Sequence, residues 1–181
     1  MALRIPFAAI ATAATVVLLM LVSGSPAWAR IEISKQDRQF LKHAHQDNLA
    51  GIAAGKAAED KGKAEVVRSI GATIAADHAK LDTSVKETAR RLGVSLPSEP
   101  SAEQKAGLEK LTALSGSAFD RAWLAALIED HRTALEKIKQ EIQNGSSTDV
   151  KAVAESSKPV VQGHLDRLLE AQKTLGALRR N

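Results

Sequence analysis

Apolar residues recur in this chain at spacings of three and four along four long segments, each bounded by residues that a helix tolerates poorly. This pattern constrains the fold most, because a stripe of period 3.6 must be buried against other helices. No stretch alternates with period two for long enough to argue a strand. Ala, Leu, Lys, Glu and Gln dominate, and these are strong helix formers.

Ser34-Lys35-Gln36-Asp37 reads as an N-cap with an acid at N3. Phe40, Leu41, Ala44, Asn48, Ile52 and Gly55 then share one face, and the first helix runs to about Asp60 before Gly62 ends it. A second helix starts near Lys63 with an inward stripe of Val67, Ile70, Ile74, His78, Leu81, Val85 and Leu92; Gly93 is a suitable C′ residue. Pro97 and Pro100 make 93–100 a loop. Ser101 and Gln104 form a second capping box, opening a short helix through about Leu114. Ser117 with Asp120 is expected to cap the third long helix, with Leu124, Leu127, His131, Leu135, Ile138 and Ile142 facing inward. Asn144-Gly145 ends it. The last helix begins after Ser146 or Ser147 and carries Val161, Leu165, Leu168, Gln172 and Leu175 inward, with an interruption expected at Pro159. Four long amphipathic helices with one longer central connection predict an all-α, up-and-down four-helix bundle with a short extra helix.

Residues 1–29 read as an export signal: Arg4, an apolar run from Ile5 to Val22, then the small-x-small site Ala27-Trp28-Ala29. The domain expected to remain is 30–181, in the periplasm or secreted. It contains no cysteine, so neither a disulfide nor a thiolate metal site exists. It has no further run of the roughly 20 apolar residues that a membrane span needs. Its only aromatic rings of the Phe, Trp and Tyr type are Phe40, Phe119 and Trp123, too few for the stacking platforms of nucleic-acid binding. The net charge of the whole chain, +4, has its signs interspersed and argues for solubility and only weakly for an anionic partner.

Taken in order, Phe40-Leu41, Asn48, Gly55, Asp77-His78, Gly93-Val94, Leu96-Pro97, Phe119-Asp120, Trp123, His131, Pro159 and His164-Leu165 resemble the bacterial exported family called domain of unknown function 4142. The resemblance spans about Asp37 to Leu175. It implies a ferritin-like helical fold and an exported protein, and it implies no activity. Members are often labelled outer-membrane proteins, which does not fit a chain without alternating barrel strands. The resemblance also implies an acidic residue in the first helix where this chain has Gly51.

His78, His131 and His164 each lie on the apolar stripe of a different long helix, and three neutral imidazoles suit Zn, Cu or Ni. Di-iron bundles instead use Glu-x-x-His, and the residues three before these histidines are Ala75, Ile128 and Val161. Asp77 and Asp130 precede their histidines by one position, about 100° around the helix, so they do not share the ligand face. Asp82 is placed to support His78, Asn48 is a candidate partner, and no other carboxylate is expected inside the core. His43 is expected to be exposed, and Trp123 to pack beside Phe119. No catalytic residue stands out. The sequence therefore favours an exported protein with a structural, interaction or envelope-stress role, partnered by a protein or envelope component, with core histidines satisfied by hydrogen bonds. The alternative is transition-metal binding through His78, His131 and His164. An oxidoreductase role is disfavoured by the missing glutamates.

Overall fold

The computed structural model describes residues 33–178, and among them every regular element is a helix. The export-signal reading of residues 1–29 lies outside the described residues. The helices are α1 (Lys35–Lys61), α2 (Glu65–Arg91), α3 (Ala102–Thr112), α4 (Gly116–Asn144) and α5 (Thr148–Leu178). None is long and apolar enough to cross a membrane.

Local chemistry sets most boundaries. Ser34 and Asp37 close a capping box on α1, and Ser101 and Gln104 close another on α3, each satisfying two otherwise orphaned N–H groups. α2 ends where Gly93 takes φ 65°, a left-handed conformation that lets the Val94 N–H donate to the Ala89 carbonyl at 2.8 Å.

Three expectations are corrected. Ser117 and Asp120 do not cap α4, which starts at Gly116. Asp120 instead reaches across the fold and accepts from the N–H groups of Lys63 (2.9 Å) and Ala64 (3.0 Å). It thereby caps α2, whose own N-cap, Ala64, has no side chain able to do so. Pro159 does not interrupt the last helix, since α5 runs through it. Proline removes the bond to the carbonyl four residues back, here Glu155, and both residues face outward where water can serve that oxygen. Gln172 is exposed, and Ala171 takes the inward position beside it.

The short α1–α2 and α4–α5 connections make two antiparallel hairpins. α1 packs on α2 and α4, α5 packs on α2 and α4, and α3 lies against α1 and α4. Two apolar clusters fill the interior. One gathers Ala54, Ile74, Phe119, Trp123, Leu127 and Leu168, and the other Phe40, Leu41, Val85, Ile138, Val150 and Val161. Trp123 is fully buried and donates from Nε1 to the Ala54 carbonyl at 2.8 Å.

α1 and α2 approach closely at Gly55 and Gly71. A Cβ on Gly55 would lie 2.5 Å from the Gly71 carbonyl oxygen, and one on Gly71 would lie 2.6 Å from Ala58 Cβ. Neither neighbour can swing away, because one is backbone and the other is a buried alanine. Gly55→Ala and Gly71→Ala should therefore each destabilise the fold by roughly 1–3 kcal/mol in urea unfolding, the usual cost of overpacking. Gly107→Ala, in an open stretch of α3 with nothing near its Cβ, should be neutral or stabilising by up to about 1 kcal/mol.

Candidate metal centre

α2, α4 and α5 each deliver one histidine to the level where the two apolar clusters meet. His78 lies between Ile74 and Val85, His131 between Leu127 and Ile138, and His164 between Val161 and Leu165. Helical phase alone does this, because each histidine falls on the buried stripe of its helix. Their exposures are 7%, 3% and 3%. The ring centroids stand 5.5–5.6 Å apart in all three pairs. One nitrogen from each ring lies within 4.8 Å of those from the other two.

The hydrogen bonds define what each ring presents. His78 Nδ1 donates to Asn48 Oδ1 of α1 at 2.9 Å. His131 Nδ1 donates to the Leu127 carbonyl at 2.8 Å. His164 Nε2 donates to Asp77 Oδ2 at 3.2 Å. Each acceptor fixes the proton on the outer nitrogen, so a neutral ring keeps its lone pair on the other one. Those remaining atoms, Nε2 of His78, Nε2 of His131 and Nδ1 of His164, are buried without a partner.

The surroundings keep the rings uncharged. Burial, reinforced by the other two imidazoles, pulls His78 down to about 3. Burial likewise lowers His131 to about 4, against a raising contribution from the Leu127 carbonyl. Burial also lowers His164, although Asp77 opposes it.

The expected partnership of Asn48 with His78 is present, and His43 is exposed. Asp82 does not support His78. It accepts from His45 Nδ1 at 2.6 Å, and both side chains are buried. Asp77, unable to share the ligand face of its neighbour His78, instead serves His164 on the adjacent helix. The expectation of no further core carboxylate fails too, because Asp37, Asp120 and Glu141 are buried. Asp37 accepts from the backbone N–H groups of Ser34 (2.7 Å), Ser146 (3.0 Å) and Ser147 (3.1 Å). Burial alone would raise its pKa, but these bonds and the serine hydroxyls hold it well below the usual carboxylate range. Glu141 beside it is pushed up to about 7 by burial and by the Asp37 carboxylate. None of these three carboxylates joins the histidine group.

Gly51 has a physical reason. A Cβ there would lie 2.9 Å from His78 Cγ and Nδ1. The imidazole occupies the space that an acidic side chain at this position would need.

The family described as Domain of unknown function (DUF4142) matches residues 23–170. No curated protein matches the sequence. Among solved structures, the chain is similar to a DUF305 fragment from Deinococcus radiodurans, at TM-score 0.70 and 16% identity. That alignment covers 78% of this chain and 98% of the fragment, and at this identity it speaks to the fold alone.

The shifts give opposite pH slopes. The histidines have folded pKa values below the unfolded value of about 6.5, so their contribution is lost as pH falls from there through about 4 and 3. Glu141 is raised, so its contribution is present at low pH and is lost as pH rises through about 7. Metal-free protein should therefore melt at a lower temperature at pH 5 than at pH 7.5, and Glu141→Gln should steepen that fall by removing the opposing slope. Equal midpoints at the two pH values in Glu141→Gln would contradict the assignment of neutral, buried imidazoles.

Proposed function

Since the chain belongs to the family described as Domain of unknown function (DUF4142), a membership that assigns no activity, we propose from the geometry that it binds one transition-metal ion through His78, His131 and His164. The observation that carries this reading is three clustered, buried imidazoles that each keep one nitrogen without a protein partner. Every outer nitrogen is committed to an acceptor, and the other nitrogen of every ring is buried with no protein group donating to it. Leaving a buried polar atom unsatisfied costs about 1–3 kcal/mol. A cation relieves all three at once.

Neutral nitrogen donors without a carboxylate suit Zn, Cu or Ni. Asp77 behind His164 and Asn48 behind His78 are the supports that orient a ligating imidazole and raise its basicity. His78, His131 and His164 would hold the ion, each through one imidazole nitrogen. When bound, the ion would supply Lewis acidity, and the chain's own contribution is to hold three rings neutral and in place.

A purely structural role asks for satisfied imidazoles, and one nitrogen of each ring is not satisfied. We read the surrounding architecture as a ferritin-like, up-and-down four-helix bundle with α3 as an extra helix. We read the protein as exported to the periplasm or secreted after loss of residues 1–29, on the apolar run and the Ala27-Trp28-Ala29 site. The intact mass of protein recovered from an exporting bacterial host should correspond to a chain that starts at Arg30.

Metal analysis and calorimetry of untagged protein should find one Zn2+ or Cu2+ per chain, with loading at 100 times Kd raising stability by about 2.7 kcal/mol. His131→Leu and His164→Leu should abolish that gain while changing metal-free stability by less than about 1 kcal/mol, since each removes an unsatisfied atom along with a hydrogen bond. A loss of about 1–3 kcal/mol in the metal-free variants, with no metal bound by the unaltered protein, would restore the structural reading.

A further inference from the structure

The histidines are buried, yet two of them contribute to the lining of a groove between α1, α3 and α4. The groove encloses about 690 Å3, and His78 and His131 are among the residues that line it. Both rings are more than nine-tenths buried, and each has an unpartnered Nε2. A water molecule takes about 30 Å3 in the liquid, so the groove has room for a cation with its hydration shell.

The walls carry Asp47, Glu103, Glu129 and Asp130 against two lysines, Lys105 and Lys137. Each lysine already has a carboxylate partner: Lys105 pairs with Glu99, outside the groove, at 2.6 Å, and Lys137 pairs with Asp47 of the wall itself at 3.1 Å. Glu103 and Asp130 have no hydrogen-bond or ion-pair partner among the described residues, and Glu129 only approaches Arg132 at 4.0 Å. Three carboxylates thus face the groove with little compensation. Asp130 directly precedes His131, so these two lining residues stand about 100° apart around α4.

We infer that this groove is the entry route of the metal ion: Glu103, Glu129 and Asp130 capture a hydrated divalent cation, which then passes to His131 and His78. The inference rests on the histidine site proposed above. Water-lined carboxylates bind such ions weakly and release them readily, whereas the dry imidazoles hold them. With four carboxylates against two lysines the groove is net negative, and a cleft in which one sign prevails raises the arrival rate of its counter-ion by about 10- to 1,000-fold.

The test uses Co2+, whose visible absorption reports its binding to histidine, mixed in stopped flow with untagged protein. The combined variant Glu103→Gln, Glu129→Gln, Asp130→Asn is compared with a control neutralising Glu136, Glu155 and Glu170, exposed carboxylates outside the groove. Association should slow at least tenfold in the groove variant at about 20 mM ionic strength, and the gap should close near 0.5 M as screening shortens the reach of the charges. The Kd should stay within threefold, and the control should match the unaltered protein. Equal association rates in the groove variant and unaltered protein, with Co2+ still bound, would overturn the entry route alone. A tenfold weaker Kd from faster release would also overturn it, by making the carboxylates ligands. An unaltered protein that binds no Co2+ would overturn the histidine site and the route together.

Discussion

Three imidazoles survive in an apolar interior because each is held from behind. Asn48, the Leu127 carbonyl and Asp77 take the outer N–H of His78, His131 and His164, and the tautomer of every ring follows from that. The rest of the centre depends on those three bonds. They set the rings, leave one nitrogen of each without a protein partner, and leave burial to keep the group neutral. The acceptors come from three different helices, so the arrangement exists only once α1, α2, α4 and α5 are all in place.

Much of this was legible in the sequence, for reasons that concern helical phase. The stripes through Ile74, His78 and Val85, or through Leu127, His131 and Ile138, show which face is buried, and convergence of the histidines follows once four such faces meet. Capping boxes at Ser34 and Ser101 are local, so they too can be read along the chain. What lies opposite a side chain cannot. Asp120 reads as an acid in the first turn of its own helix, yet it serves α2. Asp82 lies one turn beyond His78 and points to His45. Pro159 reads as a break, but an exposed proline leaves its orphaned carbonyl to water, and neighbouring turns carry the helix through.

The acidic residues divide into two kinds. Those at the groove wall are solvated, whereas Asp37 and Asp120 are buried and satisfied by backbone N–H groups from a distant part of the chain. The latter act as caps supplied from another helix, joining the ends of the hairpins without a disulfide. Gly51 marks a similar trade at the centre, where the absent side chain on α1 is what admits the ring from α2.

The knot at Asp37 has a consequence for assembly. Its bonds join the first turn of α1 to Ser146 and Ser147, 109 and 110 positions downstream. A chain emerging amino end first has emitted four of the five described helices, α1 through α4, before that turn can meet its partners. The beginning of the fold is therefore among the last places to be locked, and a nascent or truncated polypeptide that lacks the final hairpin leaves its opening helix unmoored.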